Sequence, residues 1–250
     1  MMGRPACPAA LALLLAAAAP ALAHDAGSHA GGIAAEAGNA GAADFDIVHA
    51  RVTMEDGGIV FRMAVSGSAG ETRPTPAGAL AGSEVFAYVW PTSIDPYEAG
   101  FDEKAGILAM AVTSHPDFDD TPLQDENGDG DPGNDGDVWH SHWVVLGPDE
   151  ACGAGALKVI DIPEGAKPRL PETWPGLPLL IDSPGFEPSL EGESVELRVP
   201  PGTVAAQGAR YDGVTAGLRV NANVHAPLLC VADVFDVASG DLSLPGTVGD

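Results

Sequence analysis

From Phe45 onward the chain is written in short apolar or alternating runs separated by Gly, Pro and Asp, and no segment sustains a 3.6-residue apolar period between helix caps. With 22 prolines and 32 glycines there is little uninterrupted sequence for a long helix. The pattern predicts an all-β fold, a single-domain β-sandwich or jelly roll over residues 44–250 with long Pro/Gly-rich loops. Strands are expected over 45–53, 58–65, 84–90, 106–113, 138–146, 156–162, 177–181, 193–199, 214–225 and 228–237, and Asp95 to Met110 has room for a short helix. Glu55-Asp56-Gly57-Gly58 is a hairpin signal between the first two strands. Of the long loops expected, 163–188 carries seven prolines.

Ahead of this domain the sequence has a different texture. Arg4, the apolar stretch Ala9 to Ala19 and the small-x-small site Ala21-Leu22-Ala23 read as a signal peptide over 1–23, so a periplasmic or secreted product is expected. No segment offers the roughly 20 apolar residues of a spanning helix, and no membrane insertion is expected. Residues 24–43, rich in Ala and Gly, read as a flexible tail. The mature chain then keeps two cysteines, Cys152 and Cys230, which an oxidising compartment should join as a disulfide.

The net charge of −25 and the scattering of the few basic residues exclude a nucleic-acid partner, which needs clustered Lys and Arg. The acidity is concentrated between Asp117 and Asp137, which hold nine acidic residues and no basic one. Packing so many carboxylates together is self-repulsive unless a cation relieves it. Asp125, Asn127 and Asp129 followed by Gly130 match the opening of a D-x-[DN]-x-[DN]-G calcium loop, with Asp131, Asp135 or Asp137 to complete the ligand set. This dozen residues resembles the calcium loops of EF-hand, dockerin and thrombospondin type 3 proteins and implies a structural Ca²⁺. Position 12 is Gly136 where an EF-hand has Glu, and no helical patterns flank the loop, which rules out a sensor of the EF-hand kind.

The loop leads into Trp139-His140-Ser141-His142-Trp143. On a strand, residues i and i+2 share a face, so His140 and His142 can address one Zn²⁺ or Cu²⁺ ion. The expected third ligand is His225, which shares a strand face with Arg219, Asn221 and Asn223; the two asparagines would orient an imidazole. His115, just before the acidic loop, reads either as a further ligand or as a turn residue, and His24 as a terminal copper chelator if cleavage follows Ala23. The same His-x-His pair could equally be two half-buried, hydrogen-bonded rings. His140-Ser141-His142-Trp143 is similar to the His-x-His-Trp strand of α-carbonic anhydrases, whose third His follows much sooner. Cupins also use His-x-His, but the Glu that usually follows it is missing here. Val144 and Val145 exclude the His-x-His-x-Asp-His pattern of metallo-β-lactamase-like hydrolases.

Metal binding or handling outside the cytoplasm is therefore the expected function, by a carrier without turnover. A metal-dependent enzyme with a three-His centre is the second expectation. The third is a calcium-stiffened recognition module for a protein or glycan partner, with the 163–188 loop and Trp174 as its contact surface. There is no Gly-x-Ser-x-Gly and no nucleotide loop to support other chemistry.

Overall fold

The hairpin signal forms as expected. Strand β2 (Ile47–Glu55) pairs with β3 (Gly58–Val65) through the two-residue turn Asp56-Gly57, both residues at positive φ, the backbone that matches the twist of the flanking strands. The computed structural model describes residues 31–221 and 226–249. Numbered in chain order, the remaining strands are β1 (Ile33–Ala34), β4 (Glu84–Pro91), β5 (Ile107–Ser114), β6 (His140–Pro148), β7 (Leu157–Val159), β8 (Ile181–Asp182), β9 (Pro188–Glu191), β10 (Ser194–Val199), β11 (Arg210–Tyr211), β12 (Val214–Val220), β13 (Leu229–Val237) and β14 (Gly246–Thr247). The helical elements among the described residues are three short 3₁₀ turns, and none is long and apolar enough to cross a membrane.

The all-β single domain expected from the sequence is what forms. One sheet is open, in the order β1-β2-β3-β10-β9. The other runs β5-β4-β12-β13-β7-β6 and closes on itself through β5 and β6, making a six-stranded antiparallel barrel with β8 appended to β6. β11 and β14 form a separate small pair. Closure removes the unpaired edges that an open sheet would expose.

Two cores follow, and strand alternation sorts residues between them. On β4, Val85, Ala87 and Val89 point into the barrel, while Tyr88 and Trp90 point toward the open sheet. On β5, Ala109 and Ala111 are interior, while Leu108, Met110 and Val112 lie in the inter-sheet core. That second core brings Phe61 of β3 to within 5.7 Å of the Trp90 ring and 5.8 Å of the Trp143 ring. Each fully buried side chain of this kind is worth about 1.5–3 kcal/mol. Strands with an apolar core on both faces carry nearly continuous apolar sequence.

Several local expectations change. Ordered structure reaches back into the Ala/Gly-rich stretch: Ile33 is buried and pairs with Ala50, and the Asp46 carboxylate accepts the amides of Gly38, Asn39 and Ala40. Ile33 is the large apolar residue of that stretch, and one buried anchor with a carboxylate-bound turn is enough to tie residues 31–43 down. The expected signal peptide, residues 1–23, and residues 24–30 lie outside the described residues. Asp95 to Met110 makes only the turn Pro96–Ala99, capped by Asp95 and ended by Gly100 at φ 98°, before β5 begins. β12 stops at Val220, and Asn221 turns its amide to the Pro227 carbonyl and the Cys230 sulfur rather than to an imidazole. The disulfide joins Cys152 to Cys230 with the Cα atoms 5.5 Å apart, tying the turn after β6 to β13. Closing a loop of that length stabilises the fold by about 4 kcal/mol on the chain-entropy account.

Candidate metal centre

β5 and β6 are neighbours in the barrel wall, with Thr113 opposite His140 and Ala111 opposite His142. Directly opposed residues of an antiparallel pair share a face. This face also carries Ala109, Ala111, Val144 and Leu146, so both histidines point into the barrel while Trp143 faces the open sheet. Sequence alternation could not choose between these orientations because both faces of β6 are buried.

His115 follows β5 directly, and the connection from β5 to β6 returns Asp120 beneath the two strands. Asp120 Oδ1 lies 3.0 Å from Nε2 of His115 and 3.2 Å from Nε2 of His140; its Oδ2 lies 3.2 Å from Nε2 of His142. None of the four side chains is more than 5% exposed. Their ligand atoms all lie within 4.8 Å of one another. The rings of His115 and His140, and of His140 and His142, stand nearly perpendicular, at 84° and 88°, so that edges and not faces converge. Bonds of 2.0–2.1 Å to a tetrahedral ion put neighbouring ligand atoms about 3.3 Å apart, close to the three distances from Asp120 to the imidazoles.

The tautomers are set by the surroundings. A backbone carbonyl only accepts, so the Nδ1–H of His140 donates to Val138 O at 2.6 Å, and that of His142 to Asp182 O at 3.1 Å. The carbonyls thus hold the Nδ1–H of both rings and turn each Nε2 toward Asp120, the arrangement that orients metal-binding histidines; His140 Nε2 is within hydrogen-bond distance of Asp120 Oδ1, and His142 Nε2 makes no hydrogen bond. The Ser183 hydroxyl donates to the Asp120 carbonyl at 2.8 Å and fixes the acid from behind. His115 stacks on Phe118, centroids 3.9 Å apart and planes within 1°. The His115 amide donates to Gly136 O, and a Cβ at 136 would strike Phe118 O and approach His115 Nδ1 to 2.8 Å. Glycine at 136 is thus required by close approach, where a calcium loop of the EF-hand type would place its Glu.

Burial and charge oppose one another within the cluster. Burial pushes the Asp120 carboxyl upward, but the imidazoles of His142 and His115 outweigh it and hold the group well below the usual range, ionised. Burial pushes His142 down, and the neighbouring His140 and His115 add to this against the pull of Asp120. His140 also loses by burial, yet its hydrogen bond to Asp120 carries it upward. A neutral His142 then presents its Nε2 lone pair to Asp120 Oδ2. The two atoms are 3.2 Å apart but not aligned as a hydrogen bond, and His142 Nε2 and His115 Nδ1 are buried polar atoms with no hydrogen-bond partner among the described residues. A lone pair against a buried carboxylate is repulsive, and a cation between them reverses the sign.

Of the ligands expected from sequence, the structure brings together His140, His142 and His115. His225 and His24 lie outside the described residues. Asp120 completes the group and was not singled out in the sequence, where it is one of nine acids in a run; its signal was His115-x₄-Asp120 followed by His-x-His on the paired strand. The expected calcium ligands are arranged differently. Asp125 accepts the amides of Gly128, Asp129 and Gly130; Asn127 accepts that of Asp129; Asp129 that of Asp131; and Asp131 that of Gly133. Asp135 is buried and accepts the amides of Glu126 and Asn127. Asp137 faces outward, 4.0 Å from Arg73. Trp174, expected at a contact surface, is half-buried and donates its N–H to the Leu179 carbonyl.

Comparison of the chain with protein-family models, with curated proteins and with solved structures finds no match.

Proposed function

We propose that this is an exported metalloprotein holding one borderline first-row ion, zinc or copper, at His115, Asp120, His140 and His142. The observation that carries the reading is the convergence of three imidazole Nε2 atoms on one buried carboxylate, with the Nδ1–H of two of the rings committed to backbone carbonyls. Three imidazoles and a carboxylate suit such ions better than Ca²⁺ or Mg²⁺. The burial of all four ligands favours a resident ion over a carrier that exchanges its cargo at the surface. Export rests on the leader sequence and is supported by the disulfide.

A metal-dependent enzyme is the second reading, favoured by one observation: His115, Asp120 and His142 line a cavity in the barrel. Calcium in the 125–137 loop rests on the sequence pattern and enters the proposal only as a separate structural ion.

The test is metal analysis of the mature protein, purified without tag or chelator, beside a His140→Ala/His142→Ala double variant. About one equivalent of zinc or copper in the wild type and less than a tenth of that in the variant is expected. A wild type without transition metal, or a variant that keeps it, overturns the proposal.

A further inference from the structure

The barrel interior is not filled. A cavity of about 110 Å³ runs through it, lined almost wholly by apolar side chains and ending at His142, Asp120 and His115. A six-stranded barrel is narrow enough for ordinary side chains to close it. The space is written in the sequence as small residues. Thr113 lies opposite His140, Ala87 opposite Thr113 and Ala216 opposite Ala87, so a row of small residues crosses β5, β4 and β12 away from the cluster, with Ala111 beside it opposite His142. Leu80, Val234 and Leu242 also line the cavity and are three of the six exposed large hydrophobics among the described residues. Exposed apolar side chains that line a cavity mark where it meets the surface.

We infer that the cavity binds a short apolar monocarboxylate, its hydrocarbon part along Ala87 and Ala216 and its carboxylate beside the metal centre, facing the charge of the four-ligand ion and not entering its ligand set. The inference rests on the metal reading for the head group and on the cavity alone for the tail. Engineered apolar cavities of roughly 150 Å³ take benzene or xenon, so the space here suits an apolar group of about that size or slightly less. A divalent ion with one carboxylate and three neutral imidazoles leaves a single positive charge facing an apolar chamber. Uncompensated buried charge is costly, and a monoanion of low polarity neutralises it without bringing water into the cavity. Dications, sugars and other strongly hydrated molecules would have to leave their water on entering the apolar chamber.

The probe is isovalerate, titrated calorimetrically into protein whose zinc content has been measured, into the same protein stripped of zinc, and into Ala216→Leu and Ala87→Leu, which fill the cavity away from the ligands. Expected are one site per zinc-loaded chain, binding at least tenfold weaker without zinc, and at least tenfold weaker in whichever filled variant folds, with the zinc content of that variant unchanged. Protein with stoichiometric zinc that takes no isovalerate overturns this inference and leaves the metal reading standing. Equal affinity with and without zinc overturns the placement of the head group. Undiminished binding in the filled variants overturns the placement of the tail. A chain that holds no zinc fails the underlying reading first, and xenon binding to the stripped protein, lost in Ala216→Leu, then scores the apolar chamber by itself.

Discussion

The connection from β5 to β6 contains two regions equally rich in metal-binding side chains, and they fold in opposite ways. At its ends, His115, Asp120, His140 and His142 point at one another, buried, with His142 Nε2 and His115 Nδ1 left without hydrogen-bond partners among the described residues. In its middle, Asp125 to Asp131 spend their oxygens on the amides of their own loop, in water. The difference lies in what holds each side chain. Residues on or beside strands are aimed by the ladder, so neighbours across the hairpin must meet whether or not their chemistry is compatible. Loop carboxylates are free to satisfy the nearest donor, and the backbone is always nearest. Density of ligand residues in sequence is thus a weaker signal than the element they sit on.

The largest effect that can break this comparison is at Asp120. Asp120→Ala should abolish transition-metal binding and, by leaving three buried imidazoles around an uncompensated space, cost about 3–5 kcal/mol in urea unfolding, the range for breaking a buried charged pair. The wild type should also lose thermal stability on treatment with a chelator, by mass action on the bound ion, and the Asp120→Asn variant should show no chelator effect. An Asp120→Asn protein that keeps both its metal and its chelator response would show that the carboxylate is not a ligand.

Gly136 sits where the two regions touch, and the effect there should be intermediate. Gly136→Ala forces a methyl group against Phe118 O and the His115 ring, which overpacking data place at about 1–3 kcal/mol. Because the displaced ring carries Nε2, metal affinity should fall with stability, by tenfold or more in a chelator competition. Loss of stability with unchanged affinity would mean that His115 is packing, not ligation.

The strand pattern was the most legible part of this chain. β2, β3, β4, β5, β10 and β13 lie within a residue or two of where alternation and turn residues put them, and the Asp56-Gly57 turn forms as its sequence requires. Less legible was the closure of the barrel, which depends on β13 pairing with β7 and β5 with β6, contacts between segments whose patterns resemble those of any other strand. β9, β11 and β14 are too short or too polar to carry a pattern at all. In the site, His140 and His142 were visible because period-two spacing is a geometric statement. His115 was ambiguous without the hairpin register that sets it beside His140. Asp120 was hidden by its neighbours: an acid among nine acids carries no information until one knows which of them is buried.

The smallest effect belongs to the loop, and it sharpens the comparison from the other side. Asp125→Ala with Asp129→Ala removes the acceptors of four loop amides and of the Asn134 side chain. Losing a side-chain cap of this kind costs about 1 kcal/mol in a helix, and water can replace the lost acceptors in an exposed loop, so about 1 kcal/mol in all is expected. Transition-metal content should not change, because none of these carboxylates belongs to the buried group. If the loop takes calcium as its sequence predicts, Ca²⁺ at ten times its dissociation constant should stabilise the wild type by about 1.4 kcal/mol and the double variant not at all. A variant that also loses zinc would show that loop and cluster form one site. Calcium that stabilises both proteins equally would move its site elsewhere, and calcium without effect on either would mean that the loop amides already do for these carboxylates what the ion was expected to do.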